Sequence, residues 1–167
     1  MKKTITNLDD MLAFRLEGIY TIVRHLQTTI PAALKSTSDV STKELLRSFF
    51  KNLSEQRLKL KRAFSYLLTG PYGRHSTMGT DAILPFEEIS KMNIESSMRD
   101  ILFTTSMQSA IQFMITTYTD SRYIAIRLEM DNVVALLDEM IELEENFVQR
   151  IRTYSAERIN SISLAAD

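Results

Sequence analysis

The stretch of sequence that decides the fold is ILFTTSMQSAIQFMITTYT, residues 101–119, which carries no charge and lies between Asp100 and Asp120. Its length approaches the roughly 20 residues that a helix needs to cross a bilayer. Nine of these nineteen residues are Thr, Ser or Gln, which is too polar for contact with lipid. We therefore expect a helix that is buried among other helices, and no membrane segment.

Helix-breaking residues are scarce in the rest of the chain, which contains four Gly and three Pro among 167 residues. Five of these seven breakers fall between residues 70 and 85, which predicts one long connection over about residues 70–92. The chain is long enough, and at 44% apolar residues hydrophobic enough, to bury a core of its own. We predict a single domain over residues 1–167.

Apolar periodicity before this connection predicts a first helical hairpin. The first helix begins near Asn7 or Asp9, is kinked at Pro31 and ends within the segment PAALKST; the second opens at a capping box formed by Ser41 and Glu44. The predicted inward residues are Leu12, Leu16, Ile19, Val23, Leu26 and Ile30 in the first helix, and Leu46, Phe49, Leu53, Gln56, Leu60, Ala63 and Leu67 in the second.

A second hairpin is predicted after the connection. Its first helix begins near residues 93–97 and ends at about Leu128, and Asp131 caps the next helix. The predicted inward residues are Ile101, Thr105, Gln108, Ile111, Ile115 and Tyr118, followed by Val133, Leu137, Met140, Glu144, Phe147, Ile151 and Tyr154. Two hairpins and a long crossover predict an all-α, ferritin-like antiparallel four-helix bundle.

Charge is distributed unevenly along the chain, although the formal net charge is only −1. Residues 1–80 contain 13 Lys or Arg and 6 Asp or Glu, whereas residues 81–167 contain 7 and 15. We expect a basic helix to face an acidic helix, either within one bundle or across a dimer. The basic residues of the second helix lie mostly opposite its apolar stripe, so we predict no nucleic-acid binding.

Few residues are suited to catalysis. There is no Cys, which excludes disulfides, thiol nucleophiles and Cys-based metal sites. The two histidines, His25 and His75, are expected at the surface. No apolar run follows the lysines at the N-terminus, so we expect a cytoplasmic protein without a secretory signal.

Motifs in all four predicted long helices match one known pattern. The segment IYTIVRHLQTTIP, residues 19–31, has an eleven-residue step from Tyr20 to Pro31, and the segment QSAIQFMITTYT, residues 108–119, lies in the third of these helices. The other matching positions are Gln56, Leu60 and Phe64 in the second helix, and Leu136, Leu137, Ile141 and Glu144 in the last. These motifs resemble the bacterial YciF-like branch of the ferritin-like superfamily. The resemblance covers about residues 12–155 and implies the same bundle.

Metal-binding members of this superfamily hold two ions with Glu and His from all four helices, whereas no Glu-x-x-His pair occurs in this chain. The resemblance places its ligand positions at Val23, Phe49, Asn52, Ile111, Gln112 and Met114, and only the acid at Glu144 is retained. Mostly apolar replacements imply that packing has replaced the metal centre, so we predict no metal, no cofactor and no catalytic residue.

Three functions are compatible with the sequence. The first is a non-catalytic bundle with a structural or protein-interaction role, related to stress as the resemblance implies; it forms a homodimer through helix faces, because the third helix is apolar on more than one face. The second is a residual carboxylate-bridged iron or manganese oxidase or metal-storage protein that uses Glu17, Glu55, Glu144 or neighbouring residues in a rearranged site. The third is a helical binder of an apolar ligand or a partner helix.

Two groups of polar residues complete the candidates. The amides of Gln56, Gln108 and Gln112 are predicted to form a buried network that fixes helix register, and the hydroxyls of Tyr20 and Tyr118 need partners in the core. The acids Asp138, Glu139, Glu142, Glu144 and Glu145 resemble a cation site but are mainly interpreted as a solvated helix face.

Overall fold

The computed structural model describes residues 5–70 and 86–164, and the regular secondary structure of these ranges is entirely helical. The helices are α1 (Leu8–Ser36), α2 (Val40–Tyr66), α3 (Phe86–Lys91), α4 (Ser96–Arg127) and α5 (Asp131–Leu164). The four long helices confirm the predicted all-α bundle. The short α3, which lies inside the predicted connection, was not predicted. Residues 71–85 of that connection, including His75, lie outside the described residues.

Neighbouring helices run in opposite directions. α1 contacts α2 and α4, and α5 contacts the same two helices, so their order around the bundle is α1, α2, α5, α4. Asp100 near the start of α4 accepts a hydrogen bond from Ser38, which follows α1, whereas Asp120 near the end of α4 pairs with Arg15 near the start of α1. The chain therefore crosses the length of the bundle between α2 and α4, and α3 packs against α1 and α4.

Basic and acidic helices lie side by side within one bundle, which is one of the two arrangements predicted. Lys59 of α2 pairs with Glu139 of α5, and Arg15 of α1 pairs with Asp120 of α4. Each of these ion pairs joins the first hairpin to the second.

The core follows the predicted stripes in three of the four long helices. All six predicted residues of α1 are buried, as are those of α2 and α5 except Leu67 and Tyr154, which are half-buried. In α4 the prediction was largely wrong, because only Ile111 and Tyr118 are buried and the other four residues are half-buried. The core side of α4 is formed mainly by Phe103, Met107, Ala110, Ile111, Met114, Tyr118 and Ala125. Apolar residues surround α4, so periodicity did not identify its buried face.

Side chains at the helix starts confirm one predicted cap and correct another. Asn7 caps α1, because its Oδ1 accepts a hydrogen bond of 2.8 Å from the Asp10 N–H. The predicted capping box of α2 is wrong: Asp39 is the cap, and its Oδ2 accepts a hydrogen bond of 2.8 Å from the Thr42 N–H. The helix has already begun at Val40, so Ser41 lies inside its first turn.

Two smaller features concern Pro31 and Asp131. Pro31 lies inside α1, and the helix continues to Ser36. It therefore ends within the segment PAALKST, as predicted. The kink at Pro31 stays a prediction. α5 begins at Asp131 itself, and the carbonyl of Met130 accepts a hydrogen bond from the N–H of Val134, so the predicted cap lies one residue too late.

None of the helices in the described parts of the chain has the length and apolar character needed to cross a membrane.

We predict that Asp39→Ala lowers the free energy of unfolding by about 1–3 kcal/mol at pH 7. The substitution removes the cap and also the acceptor of a 2.6 Å hydrogen bond from the Tyr154 hydroxyl. Urea unfolding measures the change. Ser41→Ala is the matched control, because Ser41 is exposed and is not the cap; it should change stability by less than about 0.5 kcal/mol. An equal effect of both substitutions would contradict the assignment of the cap.

The effect of Asp39→Ala should depend on acidity. Burial raises the pKa of Asp39, but hydrogen bonds from Tyr154 and Thr42 outweigh burial and leave the pKa below its ordinary value of 3.8. The carboxylate therefore contributes its full stability above pH 3.8, and this contribution is lost as the pH falls through its folded pKa. The difference between the variant and the natural protein should shrink in strong acid.

Candidate functional site

Three polar side chains lie at the centre of the bundle with 0% of their surface exposed: Gln56 of α2, Tyr118 of α4 and Glu144 of α5. The Tyr118 hydroxyl donates a hydrogen bond of 2.5 Å to Gln56 Oε1. Gln56 Nε2 in turn donates to Glu144 Oε1. This central polar cluster joins three of the four long helices.

The spacing of apolar residues explains why two of these side chains face inward. Gln56 interrupts the buried row of α2 between Leu53 and Leu60, and Glu144 interrupts that of α5 between Met140 and Phe147. The burial of Gln56 was predicted from the sequence. Glu144 was predicted to belong to the inward row, but it was also grouped with acids that were mainly interpreted as a solvated face.

The predicted amide network is only partly present. Gln108 and Gln112 are half-buried, and Gln112 Oε1 accepts a hydrogen bond of 2.8 Å from Arg152 towards the surface. Tyr118, for which only an unspecified partner was expected, takes their place beside Gln56. The missed signal was that a Tyr hydroxyl in an apolar row needs an acceptor, and Gln56 is a buried acceptor on the facing helix.

Burial favours the neutral form of the Glu144 carboxyl. Burial raises the pKa of its carboxyl from an ordinary value of 4.5 to about 8. Its Oε2 has no hydrogen-bond partner. Burial, together with the nearby Glu144, also raises the pKa of Tyr118 well above 10. Burial thus favours the uncharged form of both acidic groups in the cluster.

The residues at the expected metal-ligand positions do not fit a di-metal centre. Val23, Phe49, Ile111 and Met114 are fully buried and supply no carboxylate or imidazole, and the Phe49 ring stacks on Phe147 at 6.0 Å between centroids. Asn52 and Gln112 are half-buried amides. Hard cations and di-iron sites require several carboxylates or histidines, so one Glu144 is insufficient.

The acids of the alternative metal site do not converge on Glu144. Glu17 is half-buried, whereas Glu55 is exposed and lies 3.6 Å from Lys59. Within residues 5–70 and 86–164, no group of three or more His, Cys, Asp or Glu side chains could hold a metal ion. Of the predicted acidic face, Asp138, Glu139, Glu142 and Glu145 are exposed, and only Glu144 is not.

A second polar cluster, which the sequence analysis missed, lies at the turn between α1 and α2. Asp100 is 1% exposed, and its Oδ2 accepts hydrogen bonds of 3.2 Å from the Ser38 hydroxyl and the Asp39 N–H. Tyr154 and Thr42 bind Asp39, and burial together with the Asp39 hydrogen bond raises the pKa of Tyr154 to about 12. The cluster fastens the start of α4 and the end of α5 to this turn.

The fold and the two clusters define an all-α bundle, and its described residues do not include the ligand set of a di-metal protein. A family model described as "Domain of unknown function (DUF892)" matches residues 7–163, and the chain belongs to this family. No curated protein matches the chain significantly.

Two solved structures share the fold. The stress protein YciF of E. coli superposes with a TM-score of 0.84 at 14% identity, covering 93% of this chain and 99% of that one. YcfI of Rhodopseudomonas palustris, to which a structural role is ascribed, superposes with a TM-score of 0.81 at 17% identity, covering 92% and 98%. The resemblance to the YciF-like branch is thereby confirmed.

We predict that Glu144→Gln stabilises the protein in alkaline solution. Because the folded pKa of Glu144 exceeds its ordinary value, the stability that the neutral carboxyl gives is complete below pH 4.5 and is lost as the pH rises to about 8. An amide of the same shape does not ionise, so at pH 8 the free energy of unfolding should increase by roughly 2–4 kcal/mol. Urea unfolding at several pH values measures it.

The matched control for this experiment is Glu145→Gln, the neighbouring residue, whose side chain is exposed. It should leave the pH dependence of unfolding unchanged. If Glu144→Gln lowered stability by the same amount at pH 5 and pH 8, the buried carboxyl would not be neutral in the folded protein.

Proposed function

We propose that this protein is a non-catalytic bundle with a structural or protein-interaction role. The observation that carries the proposal is the set of buried apolar side chains, Val23, Phe49, Ile111 and Met114, at the positions where the resembled superfamily holds metal. Buried carboxylates without a cation would cost several kcal/mol each, so apolar replacement is what a bundle without metal requires.

The names of the structural neighbours support the same proposal. YciF is called a stress protein and YcfI is assigned a structural role, and neither name refers to a reaction. A stress-related role in the bacterial cytoplasm is therefore part of the proposal. The carboxylate-metal alternative has less support, because Glu17 and Glu55 do not converge on Glu144.

Metal analysis tests this function. Protein produced with iron, manganese and zinc supplied in the medium, and then purified without chelator, should contain far less than one ion per chain by elemental analysis. Exposed side chains release weakly held ions on dialysis, so the measurement is repeated after exchange into buffer. Near-stoichiometric metal that survives dialysis would contradict the proposal and favour the residual di-metal reading.

The outer face of α4 supports the homodimer. Ser109 and Thr116 are exposed and lie seven residues apart on one face of the helix, with the half-buried Gln112 and Phe113 between them. No charged residue occurs between Asp100 and Asp120, whereas the exposed face of a monomeric helix ordinarily carries charge. We assign this face to contact with α4 of a second copy, in a symmetric pair.

Ser109→Arg tests the interface. A positive side chain on each copy would meet its own counterpart across the symmetry axis, so the variant should be monomeric where the natural protein is dimeric in sedimentation velocity. Ser41→Arg is the matched control, because Ser41 is an exposed serine on α2, and it should remain dimeric. A natural protein that sediments as a monomer at micromolar concentration would refute the interface.

A further inference from the structure

A groove of about 320 Å³ lies on the outer side of the first hairpin, between α1 and α2. Its lining is formed by Arg24, Gln27 and Thr28 of α1 and by Phe50 and Arg57 of α2. No acidic residue belongs to this lining, so two guanidinium groups face one small volume without a carboxylate between them. The volume is at the lower end of the range for small-molecule sites, about 300–1,000 Å³.

Hydrogen bonds hold one of the two arginines in place. Ser54 Oγ donates to the Phe50 carbonyl at 3.0 Å, Gln27 Nε2 donates to Ser54 Oγ at 2.9 Å, and Arg57 Nη1 donates to Gln27 Oε1 at 3.4 Å. Gln27 therefore bridges the two helices and orients the guanidinium. Arg57 itself is half-buried, which restricts its motion further.

The donors that the groove offers to a ligand are those of its two arginines. The amide of Gln27 is already engaged, and the hydroxyl of Thr28 donates to the His25 carbonyl at 2.7 Å. Neither Arg24 nor Arg57 forms an ion pair with any acid among the residues described. Guanidinium groups bind phosphate and carboxylate oxygens through paired hydrogen bonds, so the ligand that suits this lining is an anion.

Phe50 supplies the second part of the site. Phe50 is 36% exposed, and it lines the groove together with both arginines. An exposed ring can stack on a flat aromatic or heteroaromatic group of a ligand. A phosphate monoester carries about −1.5 to −2 charges at pH 7, which matches two arginines better than a single carboxylate does.

We propose that this groove binds a nucleoside 5′-monophosphate, with the phosphate between Arg24 and Arg57 and the base against Phe50. The site lies on α1 and α2, whereas the proposed dimer face lies on α4 and the central polar cluster lies in the core. If the chain did not bind the nucleotide, the proposed structural or interaction role would therefore be unaffected. If the metal analysis or the dimer test contradicted that role, the nucleotide site would likewise be unaffected.

Isothermal titration of the full chain with 5′-AMP, inorganic phosphate and adenosine tests the site. AMP should bind with saturation and about tenfold or more tightly than either fragment, and the affinity should fall with added salt because the groove is open. Arg24→Ala and Arg57→Ala should each weaken AMP binding about tenfold or more. Arg47→Ala, an exposed arginine of α2 outside the groove, is the matched control and should bind normally.

Phe50→Leu separates the two halves of the ligand. It should weaken AMP binding several-fold and leave the binding of inorganic phosphate unchanged, since leucine keeps the bulk but not the ring. Circular dichroism confirms that each variant is folded. The proposal would be overturned if AMP showed no saturable binding, or if Arg24→Ala and Arg47→Ala weakened AMP binding equally. It would also be overturned if inorganic phosphate, or the aromatic carboxylate benzoate, bound as tightly as AMP.

Discussion

The packing of the bundle depends on one buried carboxyl group, Glu144, which has no cation beside it. An ionised carboxylate at this position would have one hydrogen-bond donor, Gln56, and none at its second oxygen, which does not offset the loss of water. Burial therefore favours the protonated side chain, and the residues around the core can be apolar. A neutral acid is compatible with Val23 and Phe49 at positions where a metal centre would need negative ligands.

The identity of Gln56 follows from the same constraint. A bridge between Tyr118 and Glu144 needs an acceptor for the hydroxyl and a donor for the carboxyl oxygen, and among uncharged side chains of this length only an amide offers both. Leucine would fill the volume but leave two buried polar groups unsatisfied, and glutamate would add a second acid. The cluster therefore selects one register of α2 relative to α4 and α5.

The sequence predicts most of the fold because α1, α2 and α5 each have one apolar face. α4 has apolar and small polar residues on every side, so its buried face depends on where α3 and the crossover lie, which periodicity does not encode. The residues of the two polar clusters were likewise predicted only in part. Gln56 and Glu144 each interrupt an apolar row and were included in the predicted inward rows, whereas Asp39 meets Tyr154 across 115 residues of sequence, and no local pattern indicates that contact.

The two polar clusters act on stability in opposite directions as the pH changes. Asp39 is ionised in the folded protein, and its contribution is lost when acid protonates it. Burial favours the neutral form of Glu144 in the folded protein, and its contribution falls as the pH rises above 4.5 and is lost by about pH 8. Acid thus weakens the turn between α1 and α2, while a rise in pH above 4.5 weakens the centre of the bundle. Both clusters include residues of α2, α4 and α5, so both changes act on the contacts among these three helices. These two groups together favour mildly acidic solution.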